Sequence, residues 1–188
     1  METPTLITER LLLRPPCEED HERLHRIVFA DSDVMAQAFY GRVFTLDESR
    51  AFIRDRFDHA GDGRKPGVLV IRATGEVVGF AGLMPCRALG EDDFEIGFVL
   101  GRAFWGQGFA SEIGRAQLDF GFDKIGCKRL LALASPQNRG SIAVLEKLGM
   151  ARWSSVDDKN RGQRLVYRID RRARESRDDE TGSSDMTR

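Results

Sequence analysis

The stretch EIGFVLGRAFWGQGFA, Glu95 to Ala110, decides the fold of this chain. Its first half is apolar and β-favouring, which predicts a short strand containing Ile96, Phe98, Val99 and Leu100. Apolar residues then recur at helical spacing, which predicts a helix whose apolar face is formed by Phe109, Ile113, Ala116 and Phe120. The segment therefore predicts a strand, a glycine-containing turn and a helix in direct succession.

The turn between strand and helix is Trp105-Gly106-Gln107-Gly108. Glycines at a helix start let backbone N–H groups approach a ligand, and those unpaired donors favour an anion such as a diphosphate. A tight turn without any ligand remains the simpler alternative. A nucleotide P-loop is a poor fit because Phe109-Ala110 follows the last glycine instead of Lys-Ser/Thr. The dinucleotide fingerprint is also a poor fit, because Ser111 stands where it has Gly or Ala.

Four segments together carry a resemblance to a known family: WGQGFA, Thr8 to Leu24, Gly75 to Leu83, and Asn138 to Met150. In this order they resemble the GNAT superfamily of N-acetyltransferases, in the form of its RimJ/RimL-like branch. The similarity extends from about Leu6 to Asp170. One departure is Trp105, since the family often has Gln or Arg at the first position of this loop.

The resemblance implies an α/β fold with a mixed antiparallel and parallel sheet of about seven strands flanked by helices. Gly97, inside the predicted strand, indicates a β-bulge near that residue. Residues 1–170 are expected to form one domain, and residues 171–188, which are almost entirely polar, are expected to form a disordered tail.

Apolar periodicity and turn residues predict the remaining elements, and the capping box Thr45-Leu46-Asp47-Glu48 marks one helix start. In chain order they are a strand from Leu6 to Arg14, helices from Glu18 to Phe29, Asp31 to Phe39 and Thr45 to about Ala60, strands from Val68 to Ala73 and Glu76 to Met84, a strand from Lys128 to Ala134, a helix from Arg139 to Leu148, and strands from Met150 to Val156 and Leu165 to Asp170. The strand-helix-strand run from Glu95 to Ala134 predicts a parallel crossover.

Composition excludes several function classes. The 188 residues carry 29 basic and 30 acidic side chains, so net charge gives no case for nucleic acid or an anionic membrane. No apolar run is long enough to span a membrane, and the first residues do not resemble a signal peptide. Three widely spaced cysteines predict a reduced, cytoplasmic protein without disulfides or a metal site. His21 and His25 share a helical face without a metal-binding motif, which favours solvated surface histidines.

The resemblance implies acetyl-CoA (coenzyme A) as co-substrate and no metal. The residues expected to bind it are Phe98, Val99 and Leu100 along the strand, Trp105, Gly106, Gln107, Gly108, Phe109, Ala110 and Ser111 around the turn, and Asn138. The strand is expected to bind the pantetheine arm through unpaired backbone groups. Asn is also a favoured helix N-cap, so a capping role for Asn138 stays open.

Two residues are expected to be catalytic. Glu95 matches the glutamate that accepts the amine proton in some relatives, although a surface or salt-bridged carboxylate is the alternative. Ser141 matches a serine that is proposed to protonate the departing thiolate in the RimJ/RimL-like branch. Residues 142–150 lack the tyrosine that many relatives use, so either Ser141 or water has this role. Nearby, Asp92 and Asp93 are candidates for orienting a cationic substrate, and Arg102 is a candidate for reaching a phosphate.

The expected function is transfer of an acetyl group from acetyl-CoA to a primary amine by direct attack in a ternary complex. The acceptor is a small molecule or a protein N-terminus, and the resemblance also allows a homodimer. Three alternatives stay open: transfer of a longer acyl group, a catalytically silent acyl-CoA-binding module, and a nucleotide-binding protein.

Overall fold

A computed structural model describes residues 4–38, 41–159 and 161–171. In these ranges the strands are β1 (Leu6–Ile7), β2 (Leu11–Arg14), β3 (Gly67–Ile71), β4 (Val77–Cys86), β5 (Asp93–Leu100), β6 (Arg129–Ala134), β7 (Ala151–Asp158) and β8 (Gly162–Asp170). The α-helices are α1 (Glu18–Leu24), α2 (Ser32–Ala38), α3 (Leu46–Arg56), α4 (Phe109–Phe120) and α5 (Arg139–Lys147). The strands form one mixed sheet in the order β1-β2-β3-β4-β5-β6-β8-β7. The α/β class is confirmed, with eight strands in the described ranges where about seven were predicted.

The predicted first strand from Leu6 to Arg14 is wrong in one respect, because it consists of two antiparallel strands, β1 and β2. Leu6 pairs with Leu13 across them. The chain reverses at Thr8, whose amide donates to the Leu11 carbonyl at 2.9 Å and whose hydroxyl accepts from the Leu11 amide at 3.0 Å. A threonine side chain that bonds nearby backbone stabilises a turn, and this interrupts the strand.

Helix α3 begins at the predicted capping box. The Thr45 hydroxyl accepts from the Glu48 amide at 3.2 Å, and the Glu48 carboxylate accepts from the Thr45 amide at 2.8 Å. The helix ends at Arg56, before the predicted Ala60, because Phe57 turns to extended backbone and buries its ring in the core. Capping chemistry therefore identified the start of this helix better than periodicity identified its end.

The predicted β-bulge near Gly97 is wrong. The β4–β5 register runs without a break from Gly79 opposite Leu100 to Cys86 opposite Asp93. Register shifts lie elsewhere in the sheet, between β3 and β4 after Leu69 and between β7 and β8 after Arg152. Gly97 has a different role in the strand, since a Cβ there would lie 2.4 Å from the terminal methyl carbon of Met84.

The predicted parallel crossover is confirmed, with α4 between β5 and β6. The two strands pair in register at Glu95 and Leu131, the one such pair in the described ranges. The chain continues from α4 through a π-helical turn, Gly121–Ile125, and leaves it at Gly126, which has a φ of +80°. Beyond Glu95 the strands β5 and β6 diverge, and this opening positions the candidate site.

Opposite faces of the sheet hold different helices because side chains alternate along each strand. On one face, Val68 and Val70 pack with residues of α1, α2 and α3, while Leu69 packs on the other face with residues of α4. Phe29 and Phe44 stack at a centroid distance of 5.6 Å inside the first core, so ordinary packing explains these two aromatic residues.

Several predictions concern residues or features at the margin of this fold. The predicted tail from residue 172 onward lies outside the described residues, as do Phe39 and Tyr40. Cys17, Cys86 and Cys127 are free thiols. In the described part of the chain, no helix has the length and apolar character that crossing a membrane requires.

Candidate active site

The turn before α4 presents unpaired backbone donors. Gly106 and Gly108 have φ of +73° and +82°, conformations that glycine adopts without strain, and Gly108 is the N-cap of α4. From Gly106 to Ser111, no backbone N–H has a hydrogen-bond acceptor among residues 4–38, 41–159 and 161–171. These donors lie at the positive end of the helix dipole, so the turn can hold an anion.

Side chains of the turn itself fix its shape. The Trp105 indole N–H donates to the Leu100 carbonyl at 2.8 Å, so the half-exposed ring fastens the turn to the end of β5. The Gln107 amide donates to the Ala103 carbonyl at 2.9 Å. Gln107 therefore braces the turn, and it is the one predicted site residue that does not line the cavity described below.

Arg10 lies beneath the turn and was not predicted from the sequence. Its guanidinium donates to the Gln107 carbonyl at 3.0 Å, pairs with Glu112 at 2.6 Å and lies over the Phe109 ring at 4.6 Å. Burial opposes ionisation of Glu112, but hydrogen bonds from Thr8 and Arg10 outweigh it and lower the pKa of that carboxyl. The acidic residue in the first turn of α4 is thus neutralised by a cation beside the anion-binding amides.

A cavity of about 600 Å³ occupies the opening between β5 and β6. Twelve of the thirteen predicted site residues line it, all except Gln107. The cavity joins the start of α4, the diverging end of β5, the start of α5 and the β7–β8 hairpin. Its size falls within the range of small-molecule sites, and its walls are mainly apolar with a few polar groups.

Gln117 holds the diverging end of β5 open. It is completely buried, and its side-chain amide bonds both backbone groups of Gly97: it accepts from the N–H at 3.2 Å and donates to the carbonyl at 3.1 Å. A side chain thus replaces the neighbouring strand as the hydrogen-bond partner.

The predicted apolar face of α4 is only partly correct, because Ala116 and Phe120 are only half-buried. The buried positions include Gln117 instead, a polar residue at helical spacing from Ile113 that the sequence could have revealed.

Glu95 lies deep in the cavity, opposite Met84 on one side and Leu131 on the other. Burial raises its pKa from 4.5 to about 7, and the nearby guanidinium groups of Arg161 and Arg164 only partly oppose that shift. Its carboxyl is therefore part protonated and part ionised at neutral pH. A carboxylate with this pKa is suited to accepting a proton.

The neighbourhood of Glu95 contains further titratable groups. The Cys86 thiol hydrogen-bonds the carboxyl, and burial with the Glu95 charge raises the pKa of this thiol to about 11. Arg161 and Arg164 line the same end of the cavity from the β7–β8 hairpin. These arginines were not identified from the sequence, where they belong to a polar hairpin with no distinguishing pattern.

Asn138 and Ser141 lie at the start of α5 and also line the cavity. The side-chain oxygen of Asn138, Oδ1, accepts a hydrogen bond from the Ser141 backbone amide at 2.9 Å, which confirms Asn138 as the N-cap of the helix. The Ser141 hydroxyl has no hydrogen-bond partner in the described ranges and is available to a ligand.

Three other candidate residues form ion pairs within the protein and do not line the cavity, so their expected roles stay predictions. Asp93 accepts two hydrogen bonds from Arg129, each at 2.8 Å, and Asp92 pairs with an arginine at the end of β4. Arg102 pairs with acidic residues at the start of α2. Among the described residues, no group of three or more His, Cys, Asp or Glu side chains could hold a metal ion.

A mixed sheet that opens beside a glycine-led helix start is the arrangement that the resemblance to N-acetyltransferases implies, and sequence comparison agrees with it. The acetyltransferase (GNAT) domain family matches residues 10–151 of this chain. The protein therefore belongs to the GNAT acetyltransferase family.

Similar proteins extend over most of the chain. The protein YkkB of Bacillus subtilis is 33% identical over 146 residues, which cover 77% of this chain and 84% of YkkB. A GNAT acetyltransferase of Bacillus anthracis has a TM-score of 0.74 at 29% identity, covering 88% of this chain and 97% of its own. RimL, a ribosomal L7/L12 alpha-N-protein acetyltransferase solved with coenzyme A, has a TM-score of 0.74 at 17% identity, covering 91% and 99%. This last likeness shows the fold alone.

Proposed function

We propose that this protein is an acetyl-CoA-dependent N-acetyltransferase that acetylates a primary amine by direct attack in a ternary complex. The observation that carries the proposal is one cavity holding both a carboxyl whose pKa is about 7 and a set of unpaired helix-start amides. The first group suits an acceptor amine, and the second suits the diphosphate of the co-substrate.

The amides from Gly106 to Ser111 bind the diphosphate in this proposal, with Arg10 beneath them adding positive charge. The backbone of Phe98, Val99 and Leu100 binds the pantetheine arm as a neighbouring strand would. Trp105, Phe109 and Ala110 form the walls of this half of the cavity, and Asn138 contacts the arm from α5. The acetyl thioester then lies in the opening of the sheet, on the side of Glu95.

Glu95 takes the proton that the amine loses. The amine nitrogen forms a bond to the thioester carbonyl carbon, the carbon–sulfur bond breaks, and the sulfur leaves with the electron pair. Ser141 donates its hydroxyl proton to that thiolate and regains a proton from solvent. Backbone donors fixed in the cleft stabilise the developing oxyanion without reorganisation.

Ser141 supports placement in the RimJ/RimL-like branch. Residues 142–150 of α5 and its C-terminal end contain no tyrosine, so the serine is the hydroxyl of this helix that lines the cavity. A small-molecule amine and a protein N-terminus are both compatible with these residues. Ser141→Ala is expected to lower kcat several-fold and leave the KM for acetyl-CoA within about threefold.

The test is thiol release from acetyl-CoA in the presence of a panel of primary amines, with mass spectrometry of the acetylated product. Wild-type protein is expected to release thiol only with an amine present, and Glu95→Gln to lose at least tenfold in kcat. Coenzyme A binding, measured by calorimetry, should be unchanged in the variant. Tight coenzyme A binding with no thiol release for any amine would refute catalysis and favour a silent binding module.

A further inference from the structure

The cavity beside Glu95 contains two guanidinium groups. Arg164, on β8, is 4% exposed and lines the cavity, so its charge is largely withdrawn from solvent. Arg161, on the connection that precedes β8, lines the same end of the cavity and is half-buried. Both charges act on the Glu95 carboxyl. Two guanidinium groups therefore lie beside the candidate base, and Asp158 is the acidic residue that pairs with one of them.

Asp158 fixes the position of Arg161. Its carboxylate accepts from Arg161 Nε at 3.0 Å and from Nη2 at 2.9 Å, and it also accepts from the Arg161 backbone amide at 3.0 Å. A guanidinium has five N–H donors, so these contacts leave donors over while they hold the group in one orientation. An arginine oriented in this way is suited to binding a planar carboxylate.

We propose that the acceptor is a primary amine with a carboxylate on the adjacent carbon, as in a free α-amino acid. Arg161 and Arg164 bind the carboxylate, which directs the amine of the same molecule to Glu95. The inference rests on the proposed function, since it assigns the acceptor class of that same site. Polyamines fit poorly because their additional cations would face two guanidinium groups. A peptide N-terminus fits poorly because its adjacent carbonyl is an uncharged amide.

The direct test compares matched acceptors: L-methionine, L-histidine and L-tyrosine against their α-carboxamides, with spermidine and the peptide Ala-Ala-Ala-amide added. At least one free amino acid is expected to exceed its amide at least tenfold in kcat/KM for thiol release from acetyl-CoA. The comparison is stringent because the α-amine of an amide is less basic, so a larger fraction of it is neutral and able to attack at neutral pH.

Substitutions then assign the effect to the arginines. Arg161→Gln is expected to raise the KM for the amino acid at least tenfold more than the KM for the amide. The assay is run at pH 9, because loss of the Arg161 charge also favours protonation of Glu95 and slows both acceptors at neutral pH. Arg164→Gln should do the same, with a thermal melt to check that this buried substitution still folds. Arg168→Gln on the same strand is the matched control, since Arg168 pairs with Asp170 outside the cavity. Its kinetics should equal wild type.

The outcomes separate the two proposals. If the amides, spermidine or the peptide have a kcat/KM equal to that of the amino acids, the proposed acceptor class is overturned, while N-acetyltransfer is supported. Equal losses for amino acid and amide in Arg161→Gln would also overturn it, because that pattern indicates a structural role. No thiol release with any of these amines would overturn this inference together with the proposed function.

Discussion

Replacing Glu95 with glutamine should make the protein more stable at alkaline pH while it removes activity. The glutamate ionises with a pKa of 4.5 in an unfolded chain, and burial raises this pKa to about 7 in the folded protein. Between these values the folded state binds more protons than the unfolded state, so wild-type stability falls as pH rises through that window. Glutamine does not ionise, so the stability of Glu95→Gln does not fall with pH for this reason.

The magnitude follows from the size of the pKa shift. With about 1.4 kcal/mol for each pKa unit, the stability advantage of Glu95→Gln should grow by about 2 kcal/mol between pH 5 and pH 8. Glu95 is partly exposed to the cavity, and screening by solvent there reduces the effect, so about 1 kcal/mol is the expected lower bound. The neutral glutamine keeps nearly the same volume, so packing should contribute little to the difference.

Urea denaturation at pH 5, 6, 7 and 8 measures this difference as the change in the free energy of unfolding. Glu76→Gln, in the exposed turn between β3 and β4, is the control and should show no such growth. In parallel, kcat/KM of the wild type should rise with pH through about 7, and Glu95→Gln should lose that inflection. A stability difference that stays constant from pH 5 to pH 8 would refute the reasoning that Glu95 is protonated by burial.

Three further predictions concern the scaffold of the cavity. Gly108→Ala should weaken coenzyme A binding at least tenfold in calorimetry, because an alanine at φ +82° is strained by about 1 kcal/mol and its Cβ would lie 3.3 Å from Nη2 of Arg10, the cation beneath the turn; Gly75→Ala, at φ +72° in a remote turn with nothing within 4 Å, should share the strain and keep wild-type affinity. Gln117→Leu should lower the free energy of unfolding by about 2 kcal/mol, because it leaves two backbone groups of Gly97 unpaired, and unchanged urea denaturation would contradict this. Asn138→Ala should cost about 1 kcal/mol in the same assay through loss of a helix cap, whereas Asn138→Asp, which can still cap, should recover most of it.

Local rules predicted much of this fold. The capping box at Thr45 identified the start of α3 through backbone hydrogen-bonding requirements. The split of the first strand and the position of the bulge were missed. A turn centred on Thr8 and a register shift at Leu69 depend on how strands pair, and neighbouring residues along the chain do not report that pairing.

The candidate site was predictable where its chemistry belongs to one continuous segment. The anion-binding turn before α4 and the strand that contains Glu95 are contiguous, so one stretch of sequence contains both. Arg10 reaches the turn before α4, and Arg161 and Arg164 reach the cavity, from distant parts of the chain. Surface arginines are common and carry no periodic signal, so only the three-dimensional arrangement distinguishes these three from the others.

Helix α4 begins with the unpaired backbone amides of the turn, the last of which belongs to Ser111. Six positions later it carries Gln117, which bonds the backbone of Gly97 in β5. Since an α-helix rises 1.5 Å per residue, Ser111 and Gln117 are separated by about 9 Å along the helix axis. In the proposed function, this spacing relates the position of the bound diphosphate to the opening of the sheet beside Glu95. In that proposal, one helix, α4, provides the amides that bind the diphosphate and also holds open the part of the sheet where the acetyl group is transferred.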